Sequence, residues 1–198
     1  MARTTISVDQ AIADSLAGEA EKQNKTIFGL ANESLGDVLK ICEEGGSTKE
    51  IFSSWEFSRI LKDTNSLPVP GALIEKIVKR MYSVDTEWIL DAMFEAGVNV
   101  GSYLRLRFPR FEDLIPRLFD LHAFLPVKRV EFEPISTTTD RMTISVRVLG
   151  AGPSLEATKC AEKFLAGLLS QYPYRIAETR VTDGIIDAKI TKEVTEDK

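Results

Sequence analysis

Residues 3–8 alternate, with Thr4, Ile6 and Val8 pointing one way and Arg3, Thr5 and Ser7 the other. The strand this predicts has no neighbour able to pair with it as a hairpin. A lone short strand has no stability of its own, so the expected partner is the same strand of a second chain. Asp9 is an N-cap candidate for a first helix, in which Ile12, Leu16 and Ala20 recur every four residues. Asn24 and Lys25 end it. Thr26 is a second N-cap candidate, followed by Leu30, Ser34 and Val38 at the same spacing, with Leu35 and Leu39 alongside. Gly45-Gly46 is the clearest punctuation in the chain.

Residues 48–124 read as a run of helices. Residues 49–63 carry Phe52, Trp55, Ile60 and Leu61; Pro68 and Pro70 mark a break, and residues 71–82 carry Leu73, Ile74, Ile77, Val78 and Met81. Asp85 resembles a cap before the helix of residues 86–96. Gly97 and Gly101 predict an interruption or bend in the next helix, which runs to about Phe108. Pro109 separates it from residues 111–122. From Val127 the period changes to two. Residues 127–132 and 142–149 alternate around a polar turn at 136–141. A helix over 154–170 follows, and residues 174–182 and 185–192 form a hairpin across Asp183-Gly184. The predicted class is α+β: a strand and two helices, a helical block, and a ββαββ antiparallel sheet. The expected segments are 1–45, a connector over 46–85, and 86–198.

Charge narrows the function. The 198 residues hold 25 Lys plus Arg against 30 Asp plus Glu, a net −5. Residues 1–45 alone hold four basic and eight acidic side chains. Binding to nucleic acid through bulk positive charge is excluded, so any DNA contact must be local. No apolar run approaches the ~20 residues of a membrane span, and the N-terminus has no apolar signal core. These features predict a soluble cytoplasmic protein with no membrane insertion. Cys42 and Cys160 lack metal-ligand spacing, and the single histidine, His122, excludes any site that needs two. No Ser/His/Asp order, Gly-rich phosphate loop or paired-carboxylate motif appears, so no enzyme is expected.

Arg3 through about Ile41 resembles a ribbon-helix-helix domain of the MetJ/Arc class. The resemblance is carried by the alternation of Thr4 to Val8, by Asp9, Ile12, Leu16 and Ala20, and by Thr26, Leu30, Ser34 and Leu35. It implies a homodimer whose two strands pair into an antiparallel ribbon that enters the major groove of double-stranded DNA. Arg3, Thr5 and Ser7 would then face the bases. Thr26 at the start of the second helix, with Lys25 beside it, would hold a phosphate. Against DNA binding stand the acidic balance and the plain helix start Ile27-Phe28-Gly29. With those in view, the segment also reads as a dimerisation module alone.

Residues 86–192 resemble the 4-vinyl reductase domain, related in fold to TRAPP transport subunits and haem-based nitric-oxide sensors. Three stretches carry this: Phe94 to Leu104 with its spaced glycines, Leu125 to Glu133, and Cys160 to Leu169 followed by Tyr174 to Arg180. In several members of that family a helix cysteine, a strand glutamate and two later cysteines bind zinc. Cys160 and Glu178 match the first two, but the later positions fall near Val181 and Ala188, so no metal is expected. The resemblance implies a small-molecule cavity lined by Trp88, Phe94, Tyr103, Phe111, Phe119 and His122, each of which also reads as ordinary core. His122 reads as a helix-end group rather than a haem ligand, and no cofactor is expected. Together the two resemblances imply a homodimeric transcriptional regulator whose C-terminal domain senses a small, apolar ligand. The alternatives are a non-DNA-binding scaffold or carrier with a TRAPP-like lipid- or protein-binding domain, and an antitoxin.

Overall fold

A computed structural model describes residues 5–121, 127–137 and 141–193. Among these, seven helices and four strands run in the order α1 (Gln10–Lys22), α2 (Ile27–Glu43), α3 (Thr48–Asp63), α4 (Gly71–Val84), α5 (Thr86–Arg107), α6 (Phe111–Leu121), β1 (Arg129–Thr137), β2 (Arg141–Leu149), α7 (Leu155–Leu169), β3 (Tyr174–Thr182) and β4 (Ile185–Glu193). The class is α+β. Among the described residues no helix is long and apolar enough to cross a membrane.

The chain divides into two compact units, Met1–Phe52 and Ser53–Lys198. The stretch 46–85, read from the sequence as a connector, supplies α3, inside which the boundary falls, and α4, which packs on α5 and α7 in the second unit. In the first unit, α1 and α2 pack on each other. Asn24, in the left-handed region at φ 53°, ends α1, and the Thr26 hydroxyl caps α2 by accepting the Gly29 N–H at 3.0 Å. Residues 5–9 form no strand within the chain.

In the second unit, four antiparallel strands lie in the order β1-β2-β4-β3. One face of the sheet is apolar: Ile144, Val146 and Val148 of β2 and Ile186, Ala188 and Ile190 of β4 are buried against the helices. Leu104 of α5, Phe111 and Leu114 of α6, Leu168 and Leu169 of α7 and Ile60 of α3 complete this core. The opposite face is a ladder of charges. Glu131, Arg147, Asp187 and Arg180 stand in register across the four strands, with Arg147 and Asp187 joined at 2.6 Å. The Asp183-Gly184 turn closes the β3–β4 hairpin, and Gly184 takes φ +73°, a conformation L side chains rarely adopt.

Two local expectations change. The spaced glycines do not interrupt a helix: α5 is one unbroken 22-residue helix, opened by the Asp85 carboxylate accepting the Trp88 N–H at 2.9 Å. Gly97 and Gly101 are instead buried where α7 crosses it. The polar turn is also shorter than 136–141. Ser136 and Thr137 pair with Thr143 and Met142, so both remain in the sheet, and a register shift after Pro134 accommodates them.

Candidate functional site

In the first unit, Thr5 and Ser7 are exposed, as expected for a face left free. Arg3 lies outside the described residues. Lys25 is not free beside the start of α2: its Nζ holds the Glu33 carboxylate at 2.6 Å. The apolar positions are mostly uncovered. Ala20 and Leu30 are buried, whereas Ile6, Val8, Ile12, Leu35 and Leu39 are exposed, Ile6 at 68% and Leu39 at 58%. A unit this short with so little buried has no core of its own.

The aromatic candidates whose side chains are described do not gather around one cavity. Phe111, 2% exposed, sits at the centre of the core, with its ring centroid 5.3 Å from that of Tyr172, 5.0 Å from Tyr174 and 6.3 Å from Phe132. Trp88 and Phe94 are exposed on α5. Tyr103 is partly buried and donates its hydroxyl to Asp63 Oδ2 at 2.7 Å. The Phe119 side chain and His122 lie outside the described residues.

Two polar clusters are invisible to sequence periodicity. On α3 and α5, Arg107 reaches the buried Glu56 at 3.5 Å and the Tyr103 hydroxyl at 3.4 Å. Glu56 Oε2 takes no hydrogen bond among the described residues. Beneath the sheet, Glu112 Oε1 accepts from the Tyr174 hydroxyl at 2.9 Å and from Lys192 Nζ at 3.0 Å. Burial pushes the Glu112 carboxyl up, but its own backbone hydrogen bond, Lys192 and Tyr174 outweigh this and hold it below the usual value. Burial, then the Glu112 carboxylate, push the Tyr174 phenol far above its usual value, so it stays a donor.

Beside this second cluster lies a cleft of about 730 Å³ at the C-terminal end of α7. Ala166, Leu169 and Ser170 of α7, the turn residues Tyr172 and Pro173, Tyr174 to Ala177 of β3, and Thr191 of β4 line it. β3 is an edge strand, and its pairing with β4 slips one residue between Ile176 and Glu178. Of the four candidates whose side chains are described, Trp88, Phe94, Tyr103 and Phe111, none lines this cleft. The one sequence signal for it was the Tyr-Pro-Tyr run between helix and strand. That run does not disclose which residues α7 brings alongside.

No family model, curated protein or solved structure matches the chain.

The two residues that match zinc positions in the resembled family have separate surroundings. Cys160 is buried with Val78 and Ile89, and burial pushes its thiol up. Glu178 stands on the charged face of the sheet, paired with Lys189 at 2.5 Å, which holds its carboxyl below the usual value.

Proposed function

We propose that this chain is a homodimeric DNA-binding regulator whose second unit senses a small molecule. The carrying observation is the uncovered apolar face of the first unit, running through Ile6, Val8, Ile12, Leu35 and Leu39. A second copy is the occupant that fits. Antiparallel pairing of residues 3–8 from two chains places Ile6 and Val8 on the helices and leaves Arg3, Thr5 and Ser7 free for the major groove. This is the ribbon-helix-helix arrangement. The Thr26 cap supports it, because α2 then begins in a fixed place. A ligand of the second unit regulates such a dimer to the extent that it prefers one arrangement of the ribbon over another.

The pairing of Lys25 with Glu33 and the acidic balance of residues 1–45 favour a second reading, a dimeric scaffold or carrier that binds a lipid or protein and no DNA. One experiment separates the two. Fluorescence anisotropy is measured with DNA from upstream of the protein's own gene and with scrambled DNA, over a salt series. The regulator binds the first preferentially, and binding weakens with salt. Arg3→Ala loses roughly 1–3 kcal/mol if Arg3 holds a guanine through two bonds. No preference for either DNA at low salt leaves the scaffold reading.

A further inference from the structure

We propose that β3 is a self-association surface, which pairs antiparallel with β3 of a second copy about a two-fold axis at Thr179. The contact is separate from the ribbon proposed above and does not depend on it.

Among the described residues β3 has β4 on one side and no strand on the other. Ala177, Glu178, Thr179 and Arg180 are all exposed, on both faces of the strand. Such an edge presents unpaired backbone N–H and C=O groups that a further strand can take up. The two edges of the sheet differ. β1 carries Pro134, which has no N–H to donate, and its register shifts there. In β3 the irregularity lies before Glu178. From Glu178 to Thr182 the pairing with β4 is regular, with no Pro, Gly or Lys to blunt the outer side.

Charge selects the occupant and the register. Glu178 stands opposite Lys189 and Arg180 opposite Asp187, so both lie on the charged face of the sheet. Thr179, opposite the buried Ala188, lies on the other face. Side chains paired across two strands share a face, so a two-fold axis relating two copies of β3 must pass through a residue. On Glu178 it would set two carboxylates together, and on Arg180 two guanidinium groups. On Val181 it would set Arg180 against a threonine. On Thr179 it sets Glu178 opposite the partner's Arg180 and Arg180 opposite the partner's Glu178, with the two threonines paired at the centre. Arg180 is available for this: it makes no ion pair or hydrogen bond among the described residues, and Asp187 opposite it holds Arg147 at 2.6 Å. Glu178 holds Lys189, and a carboxylate accepts more than one donor.

The paired stretch, Ala177 to Val181, is short, so the contact is weak. A Kd of roughly 0.1–1 mM suits an interface well under 1,000 Å². It forms where chains are concentrated or already held side by side.

The test uses the full chain carrying Ile12→Glu, which leaves the ribbon open, in sedimentation equilibrium from micromolar to about 1 mM. This chain should be a monomer at the low end and dimerise at the high end. Amide exchange at Ala177–Val181 should slow over the same range. Adding Glu178→Arg or Arg180→Glu should each weaken association by at least about tenfold, because two attractive pairs become repulsive. An equimolar mixture of those two chains should restore it, since opposite charges then meet across the axis, and the recovery shows that both are folded. No dimer at the upper concentration, dimerisation without slowed exchange at Ala177–Val181, charge variants that associate undiminished, or a mixture that stays monomeric each overturn the proposal. The exchange measurement needs neither charge variant, so it decides even where one of them fails to fold. A parent chain that is monomeric at micromolar concentration removes the ribbon and leaves this test intact.

Discussion

Gly97 of α5 and Gly167 of α7 are reciprocal contact points. A Cβ on Gly97 would stand 2.0 Å from the Phe164 carbonyl oxygen, and one on Gly167 would stand 2.1 Å from the Phe94 carbonyl oxygen. The two backbones touch where the helices cross, and neither can yield a flexible side chain to make room. Gly101 repeats the contact one turn on, where a Cβ would stand 2.7 Å from the Leu168 carbonyl oxygen.

Gly97→Ala or Gly167→Ala should therefore destabilise the second unit by about 3 kcal/mol or more, at the upper end of overpacking costs. Trp55 and Trp88 both lie in that unit, so urea unfolding followed by tryptophan fluorescence reports on it. Gly18, inside α1 with nothing within 4 Å of its Cβ position, is the contrast. Gly18→Ala should stabilise α1 by roughly 0.5–1 kcal/mol through helix propensity alone. A Gly97→Ala midpoint equal to that of the parent chain would show that the helices can separate at no cost.

Ile12 and Leu39 are more than half exposed in the single chain. Ile12→Glu or Leu39→Glu should convert a dimer into a monomer in sedimentation equilibrium and abolish DNA binding with it. A parent chain that sediments as a monomer at micromolar concentration would remove the ribbon from the account.

Thr158 is fully buried and joins two parts of the second unit. Its hydroxyl donates to the Ser154 carbonyl at 2.8 Å and accepts the Gly184 N–H at 2.9 Å, which fastens the β3–β4 turn to α7. Thr158→Val keeps the shape and leaves that N–H without a partner, so a loss of about 1–3 kcal/mol is expected. Amide exchange at Gly184 should rise in the same variant. Unchanged exchange there would show that the hydroxyl does not hold the turn.

Tyr172 is 4% exposed, and its hydroxyl takes no hydrogen bond among the described residues. Burial raises its phenol from the ordinary 10.0 to about 12. A folded-state value above the unfolded one gives stability that is complete below pH 10 and is lost as pH rises from there toward about 12. Tyr172→Phe should flatten that alkaline loss. At pH 7 it should be neutral or stabilising by up to about 1 kcal/mol, because a buried unpaired hydroxyl is removed. Melting temperatures of both proteins from pH 7 to pH 11 check this, and parallel curves would contradict it.

The sequence by itself determined the local structure. Spacing of four placed α1 and α2, alternation placed β2, and the Asp183-Gly184 turn placed the β3–β4 hairpin. Thr26, Asp85 and Ser154 open helices because their side-chain oxygens accept backbone N–H groups wherever a helix begins. The same signal was ambiguous wherever a partner decides its meaning. Trp88 and Phe111 are both aromatics at apolar helical positions, yet one is exposed and the other is the centre of the core. Gly97 reads as a helix breaker in one dimension and is a helix contact in three. Only the tertiary structure decided that Arg175 faces Thr191 while Arg147 faces Asp187. Cross-strand neighbours depend on register, and a single irregularity between Ile176 and Glu178 resets it for the rest of β3. The cleft has the same origin: its walls come from the end of one helix and the edge of one strand, and no periodicity within either element encodes the space between them.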